Sequence, residues 1–191
     1  MEPQPELIHR LRQRDKAALA EVFDRYSDRI YRLGLSLLRD EQAADGVVQD
    51  TFVALIENLD TFEGRSSLGT WLYRVAYNNI MGRLRRQKPQ VQLEDDSTPN
   101  YPLPTNLIDW QELPEDLLSS AEAMQQVQRA IDALSPNLRV VFVLRDIEGL
   151  TTMEAATTLG ISPGTAKVRL HRARLALRET LANYFQERII E

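Results

Sequence analysis

The chain has 191 residues, 43% of them hydrophobic and 27% charged, with a formal net charge of −5 and no cysteine. That length holds one medium domain or two small ones, and the composition permits a real core. The lack of cysteine excludes disulfides, thiolate zinc sites and a thiol redox sensor, while no run reaches the roughly 18 consecutive apolar residues of a membrane span.

The segment from Met1 to Arg14 is polar and charged, unlike a signal peptide, so a cytoplasmic protein without membrane insertion is expected. Asp15 is placed to cap a first helix, whose apolar stripe is Leu19, Val22, Phe23, Tyr26, Ile30, Leu33 and Leu37. Asp40 can cap a second, with Ala44, Val48, Phe52, Leu55 and Leu59 on its inner side. A loop from Asp60 to Ser67 contains Gly64. The third helix then buries Leu68, Leu72, Val75, Ala76 and Ile80.

Prolines then gather at 89, 99, 102, 104 and 114, in a stretch rich in acids. Residues 89–116 therefore read as a linker. It separates a first module, residues 1–88, from a second, residues 117–191. In the second module Leu117, Ala121, Met124, Ile131 and Leu134 recur at helical spacing, and Ser135-Pro136 reads as a cap followed by a first-turn proline. That helix should end near Gly149. Thr151 with Glu154 forms a capping box, Gly160 closes the short helix it opens, and Ser162-Pro163 starts the last helix. The fold class expected is all-α: two small helical domains joined by an acidic, proline-containing linker.

A short helix, a three-residue turn and a longer helix form a helix-turn-helix. Ala156 and Ala166 are small enough for the helices to cross closely, and Gly160 supplies the left-handed turn. The longer helix sets Ala166, Leu170, Ala173 and Leu177 inward. Its other side carries Thr165, Lys167, Val168, His171 and Arg172, flanked by Arg169 and Arg174. Such a helix fits the major groove, its early residues near base edges and its arginines on phosphates. A basic run alone would more readily describe a solvated bundle helix; the cap, turn glycine, small crossing residues and one-sided basic face together favour DNA.

Charge is segregated along the chain. Residues 65–88 hold six bases and no acid, residues 167–178 hold five bases and no acid, and residues 89–128 hold eight acids and no base. Two basic islands with an acidic bridge between them outweigh the modest total as an indicator of nucleic acid. An enzyme is a poor fit: His9 and His171 fall in different modules, and no phosphate-binding glycine loop or paired-carboxylate motif is present.

Three blocks of the first module, Val47-Val48-Gln49-Asp50-Thr51-Phe52, Leu59 to Ser67 and Thr70 to Asn78, resemble the extracytoplasmic-function sigma factors. Leu134-Ser135-Pro136, Val141 to Arg145, Glu148-Gly149-Leu150 and Gly164 to Arg174 resemble the same family's promoter-binding domain. The resemblance implies an alternative sigma factor that binds core RNA polymerase and promoter DNA and is controlled by an anti-sigma partner, with no cofactor. It assigns core binding to Asp45, Gln49, Asp50 and Val53, and the minus-ten element to Gly64, Arg65, Ser66, Ser67, Thr70, Trp71, Arg74, Tyr77, Asn78 and Arg85. Trp71 also suits core packing, and Tyr73 is similarly ambiguous. The minus-thirty-five element falls to Thr165, Lys167, Val168, Arg169, His171, Arg172 and Arg174. Gly46 stands where relatives carry an acid; a mid-helix glycine costs up to about 1 kcal/mol and removes an expected ionic contact. The acidic linker would either mimic nucleic acid in the polymerase channel or serve as a solvated spacer. The competing reading is a conventional helix-turn-helix regulator with an N-terminal sensing or dimerisation domain, which leaves the Gln49-Asp50 and Trp71 to Asn78 blocks without a role.

Overall fold

A computed structural model describes residues 4–87 and 121–189. The linker expected at 89–116 lies outside the described residues, as does Leu117. Among those described there are helices and no strand, in agreement with the all-α expectation.

The first helix is one that periodicity missed. Helix α1 (Gln4–Arg12) lies within the segment read as polar, and buries Leu7 and Leu11 at 3% exposure each. Leu7, Ile8 and Leu11 are too short an apolar signal to stand out in a charged stretch, but the two buried leucines suffice to dock a short helix. Arg10 bonds Asp15 at 2.8 Å, and Arg12 donates to the Phe62 carbonyl at 2.6 Å, fastening α1 to the loop before α4.

Helix α2 (Lys16–Leu38) starts at Asp15, whose carboxylate accepts from the amides of Ala17 and Ala18. The Arg10 side-chain hydrogen bond, followed by these amides, holds the Asp15 carboxyl below its ordinary range. Helix α3 (Glu41–Asn58) is capped by Asp40 through the Ala43 amide at 2.6 Å. The two helices approach closely because Gly34 faces Ala44: a β-carbon at Gly34 would lie 3.2 Å from the Ala44 Cα. Phe23, placed inside by its spacing, is 46% exposed, its ring tilted against Phe52 with centroids 4.8 Å apart. A single 3₁₀ turn (Leu59–Thr61) leads to the loop, and Ser67 caps helix α4 (Leu68–Gln87) by accepting from the Thr70 amide.

In the second module, α5 (Ala121–Ala133) is followed by α6 (Pro136–Phe142), which widens into one π-helical turn (Val143–Ile147) ending at Glu148. Proline starts α6 as expected, yet the Ser135 hydroxyl makes no cap bond. Arg139 serves this corner instead. It is 5% exposed and donates to the carbonyls of Ile131, Leu134 and Asp132, the last turn of α5 and the residue beyond it, and to Ser36 of α2. Helix α7 (Thr152–Leu159) carries the expected capping box, and Gly160 has φ +67°. Helix α8 (Pro163–Ile189) begins at Ser162, which accepts from the Thr165 amide at 3.0 Å.

The modules pack on one another. One continuous apolar cluster includes Leu33, Leu72 and Ile80 of the first and Val141, Leu144 and Leu170 of the second. A second cluster, Ile131, Leu134, Leu138, Ala173, Leu177 and Leu181, belongs to the second module alone.

Candidate nucleic-acid interface

Helices α7 and α8 form the expected helix-turn-helix. Ala156 and Ala166 are 2% and 1% exposed at their crossing, and Leu170, Ala173 and Leu177 line the buried side of α8. Lys167, Val168 and His171 are exposed, with Val168 at 50%; Thr165, Arg169 and Arg172 are half-buried. Arg174 is exposed but engaged: its guanidinium makes a two-pronged contact with Asp146 at 2.8 and 2.7 Å. The structure thus leaves three of the seven predicted residues exposed on one side of α8, half-buries three more, and ties the seventh to the turn before α7.

The α4 surface is less open than expected. Arg74, Asn78 and Arg85 are exposed, and Tyr77 is half-buried. Thr70, placed on the outward side by helical spacing, is 3% exposed because α7 covers it. Its hydroxyl and that of Ser67 reach the same Glu154 oxygen at 3.3 and 3.4 Å. Burial pushes the Tyr77 hydroxyl pKa up, and Arg169 of α8, close enough to act on it, opposes the shift. In the loop, Gly64 has φ +71° and is exposed with Arg65, while Ser66 is half-buried. Trp71 is half-buried and meets Phe62 edge-on, with centroids 6.1 Å apart. Tyr73 is fully core, 1% exposed.

On α3, Asp45, Gln49, Asp50 and Val53 are all exposed, Val53 at 52%. Asp50 pairs with Arg83 of α4 at 2.5 Å. A β-carbon at Gly46 would lie 2.8 Å from the Arg83 Nη2. The absent acid at 46 is thus matched by an intramolecular cation lying over the glycine and taking up the neighbouring carboxylate.

Glu148, part of the Glu148-Gly149-Leu150 block, has partners that the sequence pattern does not indicate. Its side chain is 0% exposed; Arg29 and Arg32 of α2 pair with it at 2.9 and 3.0 Å, and the Tyr73 hydroxyl donates to it at 3.0 Å. Burial and then the Glu148 charge drive the Tyr73 pKa up, so the hydroxyl stays a donor at all working pH values. No periodicity links positions 116 residues apart in the chain, so only the fold reveals this cluster.

Glu154 provides a pH test of the capping box. The Thr151 backbone amide, then the hydroxyls of Thr151, Thr70 and Ser67, hold its carboxyl below the ordinary 4.5. A depressed carboxyl pKa contributes stability that is present above the unfolded value and lost as pH falls through the folded one. Glutamine also completes a capping box. Thermal unfolding of Glu154→Gln against the unsubstituted chain should therefore show a deficit at pH 7 that shrinks below about pH 4.5; a constant gap would mean that the carboxylate charge contributes nothing.

A two-module helical chain whose second module carries a basic helix-turn-helix has the build of a DNA-binding transcription factor. Residues 22–90 match the Sigma-70 region 2 family, and residues 124–177 match Sigma-70, region 4. The chain is 34% identical over 176 residues to the ECF RNA polymerase sigma factor SigW of Bacillus subtilis, spanning 91% of this chain and 94% of that one. It is 31% identical over 174 residues to the ECF RNA polymerase sigma-E factor of Escherichia coli K12, spanning 90% of each. Among solved structures, CnrH in complex with the cytosolic domain of CnrY aligns with TM-score 0.66 at 23% identity, over 95% of this chain and 99% of that one. The sigma factor RpoE in complex with the anti-sigma factor NepR from Bartonella quintana aligns with TM-score 0.63 at 24% identity, over 85% and 96%. The chain belongs to the ECF family of RNA polymerase sigma factors, which are transcription initiation factors.

Proposed function

We propose that this chain is an alternative sigma factor that works in the cytoplasm as a non-catalytic subunit, with residues 1–88 serving core binding and the minus-ten element and residues 117–191 serving the minus-thirty-five element. The observation that carries this division is the pairing of a basic helix-turn-helix on α7 and α8 with an exposed Asp45, Gln49, Asp50 and Val53 face on α3. Carboxylates and an amide beside an apolar side chain suit a basic partner helix, with the apolar contact supplying area and the charges supplying register. On α4, Arg74 and Arg85 serve phosphates and Tyr77 a stacked base, as single-stranded DNA requires. The loop residues Gly64, Arg65, Ser66 and Ser67, with Thr70, Trp71 and Asn78, complete the minus-ten surface. On α8, Lys167, Arg169, Arg172 and Arg174 serve phosphates while Thr165, Val168 and His171 face base edges. An anti-sigma partner, as the Bartonella quintana relative has in NepR, would hold the protein inactive until signalled.

The deciding experiment adds the protein to bacterial core polymerase with fragmented genomic DNA and maps every new transcript start. Starts at a fixed distance from a shared two-part motif are expected. No new starts, together with tight specific DNA binding by the protein alone, would favour a conventional regulator.

Replacing Gln49 and Asp50 with alanine should weaken core affinity about tenfold, the equivalent of about 1.4 kcal/mol, as read by fluorescence anisotropy. The fold should survive, because the lost Asp50–Arg83 pair is at the surface and worth at most about 1 kcal/mol. Arg83→Ala, which releases the Asp50 carboxylate without removing it, should raise core affinity. Equal affinities for all three proteins would remove this face from the interface.

A further inference from the structure

Helix α1 precedes the residues that match Sigma-70 region 2, which begin at 22, yet it is built into the first module as a fixed strut. Leu7 and Leu11 are buried, and the helix ends in a left-handed turn at Arg14, φ +57°, closed by the Asp15 amide on the Arg10 carbonyl at 3.1 Å. Asp15 also caps α2 and takes the Arg10 side chain at 2.8 Å. So α1, its turn and the start of α2 form a rigid corner. From that corner Arg12 reaches 50 residues along the chain to donate to the Phe62 carbonyl at 2.6 Å, just before Gly64. Phe62 is buried with its ring edge-on to Trp71, and Ser67 caps α4 at the other end of the loop. Between these anchors Glu63, Gly64 and Arg65 are exposed, and a β-carbon on Gly64 would meet nothing within 4 Å. The Glu63–Arg65 pair is a surface contact within the loop itself, and such pairs hold little. Between α1 and the loop lies an open recess of about 350 Å³, lined by Pro5, Ile8, Arg12, Phe62, Glu63 and Gly64.

We infer that α1 is a brace for minus-ten reading, with Arg12 the positioning residue that fixes the start of the loop so that its base-reading residues meet the opened strand in one register. The inference rests on the minus-ten role given to Gly64, Arg65, Ser66 and Ser67 under the proposed function, and adds to it an element that does not itself touch DNA. Choosing one base over another needs donors and acceptors placed to within about 0.5 Å, because a hydrogen bond weakens steeply as its angle closes. A loop carried by a left-handed glycine, φ +71°, does not hold that placement alone, since glycine has the widest choice of backbone conformations. Tying the carbonyl of Phe62 to a rigid corner removes much of this freedom before DNA arrives, so less order has to be imposed on binding. Arginine suits the task. Its charge strengthens the bond to a carbonyl, and its planar fork loses less freedom per bond than the flexible lysine stem.

The test uses holoenzyme assembled with each variant, and a promoter found by transcript-start mapping with every minus-ten and minus-thirty-five position replaced singly. Arg12→Ala should lower the discrimination between the best and the substituted minus-ten bases roughly three- to tenfold, the shift that one hydrogen bond makes in an equilibrium. Discrimination at the minus-thirty-five positions should stay as it was. Arg12→Met keeps the stem without the donors and should behave like alanine, whereas Arg12→Lys keeps a charged donor and should restore most of the loss. Arg12 is exposed, so all three variants should fold. If Arg12 only stabilised the module, melting temperature would drop and discrimination would suffer equally at both elements. Equal loss at the two elements, or methionine matching arginine, would overturn the inference. Gly64→Val, forced into a strained left-handed backbone, separates the inference from the reading beneath it. If that variant loses minus-ten discrimination while Arg12→Ala keeps it, the loop reads DNA without the brace and the inference falls alone. If neither substitution alters minus-ten discrimination, the role assigned to the loop fails and the inference fails with it.

Discussion

Arg139→Ala is expected to lower the unfolding free energy by about 3–5 kcal/mol, the cost of leaving several buried carbonyls without their donor. Arg139 is 5% exposed, and its guanidinium meets the carbonyls of Ile131 and Leu134 at 3.0 and 2.7 Å and of Ser36 at 2.8 Å, with Asp132 as a further acceptor. The last carbonyls of α5 have no partner within their own helix, and a cation there also complements the helix dipole. Alanine would leave those oxygens buried beside a cavity, each unsatisfied group costing about 1–3 kcal/mol. Burial pulls the Arg139 pKa down from its ordinary value, but a guanidinium has ample margin and stays charged. Urea denaturation separates packing from hydrogen bonding: Arg139→Met restores much of the lost volume and no donors, while Arg139→Lys restores the charge without the planar fork. Stability should fall in the order arginine, lysine, methionine, alanine. If methionine matches arginine, the carbonyls are satisfied by some other route and the fork is dispensable.

What the sequence made legible here is what is local. The caps at Asp15 and Asp40, the Thr151–Glu154 box and the left-handed Gly160 each depend on a few consecutive residues, and each is in place. The two-sided character of α8 was legible for the same reason, since its apolar and basic sides follow from helical spacing. Three things were hidden. Helix α1 offers only Leu7, Ile8 and Leu11 as an apolar signal. The exposure of Phe23 arises because the apolar stripe of α2 is wider than the core it faces, and the surplus ring rests on Phe52. The burial of Thr70 and the pairing of Glu148 depend on how one module sits on the other, and no pattern within either module encodes that. Glu148 was visible within the Glu148-Gly149-Leu150 block as a mark of resemblance, but its partners Arg29, Arg32 and Tyr73 lie beyond the linker.

The combined substitution Lys167→Ala, Arg172→Ala is expected to weaken promoter binding by the holoenzyme roughly 60-fold at 0.1 M salt, and to reduce the salt slope by about 1.8. Each neutralised phosphate contributes about 0.9 to the dependence of log affinity on log salt concentration, so two lost contacts fix both numbers together. The measurement is holoenzyme affinity for a mapped promoter, titrated between about 50 and 200 mM salt, the range over which such contacts are most visible. Lys167 is exposed and Arg172 half-buried on α8, and Leu170 and Ala173 hold the helix from beneath, so the fold should not be disturbed. Two neighbours sharpen the reading. Val168, 50% exposed and uncharged, should alter the preferred bases when changed to alanine and leave the slope alone. Arg174 is held by Asp146 through two short bonds, and must surrender them to reach a phosphate; its removal should change the slope by less than 0.9. A slope that is unmoved by the double substitution would mean that α8 presents these charges to solvent. The basic helix would then be an ordinary solvated face, and promoter affinity would have to come from α4.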